Sequence, residues 1–176
     1  MKIIGFVYRN GSSNLVLKGD SCLLNGRKPL FIPDWTEEPV YTPCMILRIS
    51  RLGKEIAARF ADRYYDAIAP GLDFTAEDLL RKAQVEGGSW TEAIAFDYSL
   101  AIGEWGEKEG WQIDEWRETE WLMTPEEAIE RASRVMTIRQ GDLIYIQAKQ
   151  APQRIEREQV IRATQQGEEK LYCKIK

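Results

Sequence analysis

The chain is written in short apolar runs separated by turn residues, and that punctuation confines it to a β-rich fold. Residues 2–8 are β-branched and aromatic, and they end at the turn cluster Arg9-Asn10-Gly11-Ser12-Ser13-Asn14. Leu15-Val16-Leu17 supplies a second strand. Asn25-Gly26, between Cys22-Leu23-Leu24 and Pro29-Leu30-Phe31-Ile32, predicts a hairpin. Pro33, Pro39 and Pro43 mark an extended stretch, and Met45-Ile46-Leu47-Arg48-Ile49 reads as a buried strand. Later, Leu143-Ile144-Tyr145-Ile146 is strand-like, and Leu171, Cys173 and Ile175 alternate after a Gln166-Gly167 turn, which predicts a closing hairpin. Helical signals are fewer. Ile56, Phe60, Tyr64 and Ile68 recur every four residues and predict at least a partial helix within Lys54–Ala69. Thr75 is placed to cap a helix reaching about Val85 and stopping at Gly87-Gly88, with Asp78 three residues on. Thr124-Pro125-Glu126-Glu127 starts another, with Ile129, Ala132 and Met136 as its buried stripe. The expectation is one α+β, mainly β domain over residues 1–176.

Composition removes whole classes of chemistry. The 176 residues contain no histidine, which excludes serine–histidine and cysteine–histidine nucleophiles, imidazole bases and His-containing zinc sites. A formal charge of −4, from 24 basic and 28 acidic residues, leaves no basic block for nucleic acid. No apolar window approaches a membrane span. Cys22, Cys44 and Cys173 are odd in number and widely spaced, so they read as reduced, buried thiols in a cytoplasmic protein.

Gly71-Leu72-Asp73-Phe74-Thr75-Ala76-Glu77-Asp78-Leu79 gathers three carboxylates. Glu77 and Asp78 suit the first turn of a helix, where acids favour the helix dipole. Asp73 lies between apolar neighbours, where a buried lone carboxylate is costly. Residues 104–121 carry Trp105, Trp111, Trp116 and Trp121 among seven acidic and two basic residues. They read as a strand pair whose tryptophans cover the core, or as a surface for a protein partner. The mixed-charge stretch Arg154–Arg162 reads as a solvated strand or loop.

Several stretches, in order, resemble the fumarylacetoacetate hydrolase family, in particular its shorter single-domain bacterial members. They are Met1-Lys2-Ile3-Ile4 with Arg9-Asn10, Leu17-Lys18-Gly19-Asp20-Ser21, Phe31-Ile32-Pro33-Asp34, Leu47–Lys54, Arg59–Asp66, Gly71–Leu79, Ala95-Phe96-Asp97 and Gly141-Asp142-Leu143-Ile144. The resemblance implies a mixed β-sheet roll, a homodimer, and hydrolysis, decarboxylation or isomerisation of β-dicarbonyl acids. It further implies three carboxylates on Mg²⁺ or Mn²⁺, a lid bearing a His and a Glu, and an assisting Lys.

Carried over residue by residue, most of that machinery is replaced. Thr42 and Cys44 stand at two of the metal-ligand positions, and Asp73 alone matches the third. Glu77 replaces an arginine, Ile94 the lysine, and Ile146-Gln147-Ala148-Lys149 the Thr-Gly-Thr-Pro substrate loop. After Arg9-Asn10 the lid segment is deleted. The leading expectation is a non-catalytic member of the family, a binding or structural homologue without a cofactor. Its ligand or partner would be a small organic anion held by Arg9, Lys18 or Arg48, or a protein. The alternative is a metal-dependent hydrolase, decarboxylase or isomerase with a carboxylate site rebuilt from Asp73, Glu77 and Asp97 or Asp34, using Mg²⁺ or Mn²⁺.

Overall fold

In the computed structural model, which describes residues 1–176, Asn10 and Gly11 both take positive φ, 53° and 73°. That is the backbone of a two-residue I′-type turn, so β1 (Ile3–Arg9) doubles straight back as β2 (Ser12–Lys18). The other strands of the main sheet are β3 (Leu23–Asn25), β4 (Pro39–Ile49), β5 (Tyr65–Ala76), β6 (Leu100–Ile102), β7 (Leu143–Gln147) and β8 (Gln153–Arg154). Their order is β2-β1-β7-β4-β5-β6-β3, with β8 against β4. The β1–β7 and β3–β6 pairs are parallel and the rest antiparallel, so the sheet is mixed as expected.

The connection between β2 and β3 gives the sheet its shape. These strands sit at opposite ends of the order, yet only residues 19–22 join them. That link reaches about 18 Å at most, whereas seven strands laid flat would separate their outer members by about 29 Å. The sheet therefore curls into a roll. Its interior holds Ile3, Val7, Val16, Cys44, Ile46, Leu100, Leu143 and Tyr145, closed by Leu80 of α2 (Glu77–Glu86) and by Ala93 and Ile94 of α3 (Thr91–Ile94).

Alternation along the same strands sends Ile4, Phe6, Met45, Leu47, Ile144 and Ile146 outward. There they pack under α4 (Pro125–Val135). That helix starts with the predicted capping box, Thr124 against Glu127. A separate hairpin of β9 (Val160–Gln165) and β10 (Glu168–Lys174) covers Leu24, Leu72 and Phe74, as the alternation of Leu171 and Cys173 foretold. All three cysteines are free and buried. No helix is long and apolar enough to cross a membrane.

Four local expectations are corrected. The helix within 54–69 is confined to α1 (Ala58–Ala61) plus one 3₁₀ turn, and Tyr65 onward is strand. A spacing of four is also twice the strand repeat, so Tyr64 and Ile68 fit both patterns, and pairing with β4 decides. Thr75 does not cap α2; it is buried in β5, and the Asp78 carboxylate instead accepts hydrogen bonds from Thr36 Oγ1 (2.6 Å) and the Glu37 amide (3.1 Å). Asn25-Gly26 forms no hairpin, because β3 pairs in parallel with β6 and Leu30 bridges to Ile175. The tryptophan-rich stretch is not a strand pair. It holds a single 3₁₀ turn (Asp114–Trp116) and isolated bridges at Gly106 and Trp121, although Trp111 and Trp121 do pack on the core.

The end of the roll is clamped by Asp142. Its carboxylate accepts from the Lys2 amide (2.8 Å), Lys2 Nζ (2.6 Å) and the Arg139 amide (2.9 Å). Burial alone would raise its pKa, but these hydrogen bonds and the Lys2 charge outweigh it and hold the carboxyl below the usual aspartate range. A depressed folded pKa means the stabilisation is complete above the unfolded value, about 3.9, and is lost as pH falls through the folded one. Asp142→Asn should therefore cost about 2 kcal/mol at neutral pH and flatten the stability profile below pH about 4. Urea denaturation across that range checks it, and a variant profile as steep as the parent's would contradict this role.

Candidate functional site

The interior face of the roll carries a polar seam among its apolar residues. Register places Thr42 opposite Asp73, Cys44 opposite Gly71 and Gln147, and Tyr145 opposite Gly5 and Ile46. Alternate residues share a face, so Thr42, Cys44, Asp73, Tyr145, Gln147 and Arg9 all belong to it. All are buried.

Lys18 enters this seam from β2. Its Nζ is fully buried, 2.7 Å from Asp73 Oδ1, and donates to Ser99 O and Ser99 Oγ at 2.9 Å each. The other carboxylate oxygen, Asp73 Oδ2, accepts from Gln147 Nε2 at 2.7 Å, and Gln147 Oε1 accepts from the Tyr8 amide at 2.9 Å. One buried carboxylate thus meets one buried ammonium, with Gln147 donating to the carboxylate and Ser99 accepting from the ammonium. Tyr145 lies beside them, with the Lys18 ammonium 5.8 Å from its ring centroid and its own hydroxyl without a partner. Burial, then the Asp73 charge, push the Tyr145 phenol well above its ordinary pKa. Burial likewise pushes up the Cys44 thiol; Asp73 adds to the rise and Lys18 opposes it. Cys44 is therefore a neutral thiol, neither a thiolate ligand nor a nucleophile.

The Mg²⁺ or Mn²⁺ implied by the resemblance does not fit this donor set. A hard divalent cation takes several oxygen ligands, commonly carboxylates. Here the positions offer a hydroxyl, a protonated thiol and one carboxylate already paired with an ammonium. No group of three or more Cys, Asp and Glu side chains is arranged to hold a metal ion. The carboxylates of the alternative site do not converge with Asp73 either. Asp34 and Asp97 are exposed, and Glu77 lies 3.6 Å from Arg9 Nη2.

Each of the three candidate anion-binding cations already has a carboxylate beside it. Lys18 is spent on Asp73. Arg9 is buried, donating to Tyr8 O (2.8 Å) and weakly to Thr75 Oγ1 (3.4 Å) beside Glu77. Arg48 sits six residues along β4 from Thr42, about 20 Å away, where it pairs with Asp66 at 2.7 Å and stacks on Trp105. The lid position is the tight Asn10-Gly11 turn, and Ile94 is buried in the interior cluster.

Sequence reasoning missed Lys18 as the partner of Asp73, and with it Ser99 and Tyr145. A signal was present, since Lys18 is in phase with Val16, the inward side of β2. What phase alone could not reveal is the roll that brings β2 to β6.

Two substitutions test the packing of this centre. Lys18→Met would strand a buried carboxylate and should cost about 3–5 kcal/mol in chemical denaturation, with part recovered in Lys18→Met/Asp73→Asn. Full stability in the single variant would contradict the pairing. Gly5 faces the Tyr145 ring so closely that an added Cβ would lie 2.2 Å from Cζ. Gly5→Ala should therefore cost about 3 kcal/mol, and combining it with Tyr145→Ala should cost less than the sum of the two changes. Strict additivity would show that this contact does not govern the seam.

No protein-family model matches the sequence, and no curated protein matches it. Solved structures share its fold. A fumarylpyruvate hydrolase from Pseudomonas aeruginosa, solved with Mn²⁺ and pyruvate, superimposes with a TM-score of 0.82 at 19% identity, over 99% of this chain and 88% of that one. A structure from Yersinia pestis, described as a fumarylacetoacetate hydrolase family protein, gives 0.85 at 18% identity, over 99% and 91%. A 5-carboxymethyl-2-hydroxymuconate delta-isomerase from Mycobacterium smegmatis gives 0.81 at 18%, over 99% and 78%. At these identities the likeness establishes the fold.

Proposed function

We propose that this chain, which has the fold of the fumarylacetoacetate hydrolase and isomerase structures, is a member of that family in which the metal-dependent reaction has been given up and the domain kept as a binding or structural homologue. The observation that carries this reading is the Lys18 ammonium 2.7 Å from Asp73, both side chains buried, at the place where the family resemblance calls for a divalent cation. A single positive charge fixed on the protein stabilises the one retained carboxylate without any exchangeable ion. Thr42 and Cys44 then need no charge, and their neutrality matches that of the rest of the interior. Polarising a β-dicarbonyl acid needs a Lewis acid open to substrate, and a buried, saturated ammonium offers neither an open coordination position nor access.

The same reading assigns the chain to a reducing cytoplasm, which suits three free thiols. It also takes the homodimer that the resemblance implies as the working assembly, to be checked by sedimentation.

The test is calorimetric titration of metal-stripped protein with Mg²⁺ and with Mn²⁺, followed by assay on acylpyruvates and oxaloacetate. The expected outcome is no saturable binding up to millimolar metal and turnover no faster than the free ion supports, with Asp73→Asn indistinguishable from the parent in both. A stoichiometric metal site lost in Asp73→Asn, or turnover above that background, would overturn the proposal in favour of a rebuilt metal enzyme.

A further inference from the structure

We propose that a depression of about 620 Å³ beside α2 and α3 is a binding site for a small organic cation carrying an alkylated ammonium group. It is lined by Trp35, Leu79, Thr91, Glu92, Ala95 and Phe96. Trp35 and Phe96 form two of its walls, edge to face at 83° with centroids 5.3 Å apart. Rings set at right angles offer a cation both a π face and a second aromatic surface, the arrangement used to recognise ammonium groups stripped of their hydration. Glu92 is the only charged residue of the lining, and it is negative. Exposed Asp34 and Asp97 are the chain neighbours of Trp35 and Phe96 and add charge of the same sign. The adjoining depression along α2 brings Lys82 and Glu86, which offset each other.

The chain supplies this site with no cation of its own. Lys and Arg side chains sit over Phe6, Phe60, Tyr65, Trp105, Tyr145 and Tyr172. Neither Trp35 nor Phe96 has one, although Trp35 is 47% exposed. Glu92, Asp34 and Asp97 likewise take part in no ion pair.

The walls are also held in place before any ligand arrives. The segment after Trp35 is tied to α2 by Thr36 and Glu37 on Asp78, by the Glu77 amide on Glu38 O (3.0 Å) and by Arg81 on Glu38 (2.7 Å). Phe96 follows α3 and is fixed by the Ser99 amide on its carbonyl (3.1 Å) and the Tyr98 amide on Ser21 O (3.1 Å). A preformed site avoids the ordering cost of closing around a ligand, and its volume is that of a small-molecule pocket. This inference does not depend on the loss of the metal reaction, because the depression shares none of the residues around Asp73.

The test compares choline and tetramethylammonium with 3,3-dimethylbutan-1-ol, the neutral isostere of choline, by calorimetry and by following the side-chain indole resonances of the intact protein. Choline should saturate in the millimolar range and shift one indole signal that is absent from Trp35→Leu. The neutral isostere should bind about ten-fold more weakly, since it keeps the shape and loses the charge. Glu92→Gln, a change at a surface position, should weaken choline about five-fold and leave the isostere unchanged. Equal binding of the isostere, no saturation, or choline affinity unaffected by both variants would each overturn the proposal. A trimethyllysine peptide binding more than ten-fold tighter than choline would overturn the small-molecule assignment and give the site to a protein partner.

Discussion

Lys18 reaches Asp73 only because the sheet closes on itself. The two residues belong to β2 and β5, which are four strands apart in the sheet order, and their 2.7 Å contact exists across the hollow of the roll rather than along its wall. Much else follows from that contact. Ser99 must present both its carbonyl and its hydroxyl to the ammonium, which fixes the entry to β6. Gln147 must turn its amide to Asp73 and its oxygen to the Tyr8 amide, which ties the ends of β7 and β1 together. A buried charge is costly unless paired and hydrogen-bonded, so the strand ends around the pair are constrained to supply acceptors to the ammonium and a donor to the carboxylate.

The pair also accounts for the other residues of the seam. With Asp73 paired to Lys18 and Arg9 beside Glu77, the charges of the seam balance, so Thr42, Cys44, Tyr145 and Gln147 can all be neutral. Burial reinforces that neutrality by raising the Cys44 and Tyr145 pKa values. A second carboxylate at Thr42 or Cys44 would break the balance unless it brought its own cation. The absence of histidine excludes an imidazole base anywhere in the chain, and the two-residue turn at Asn10-Gly11 leaves no segment there to close over the interior.

Its outward features are of a different kind. Arginine and lysine side chains lie over several aromatic rings and pair with nearby carboxylates, as at Arg48 with Asp66 and Trp105. The Trp35–Phe96 corner is aromatic and acidic and carries no internal cation.

Local pattern was enough to determine a good deal. The β-branched and aromatic run at 2–8, the apolar run at 143–146 and the alternation at 171–175 identified β1, β7 and β10, and the Thr124 capping box identified the start of α4, because these signals depend on neighbours a few residues away. Tertiary structure decided the rest. Ile68 and Thr75 carried helical signals and became strand, because pairing with β4 stabilises residues 65–76 more than a local cap can. Leu23–Asn25 abandoned its hairpin for a parallel partner 77 residues away. The meeting of Lys18 with Asp73, 55 residues apart, and of Trp35 with Phe96, 61 apart, depends on how the sheet curls and how α2 and α3 close its end. Curvature of that kind is set by the packing of many strands at once, and no local stretch of residues contains it.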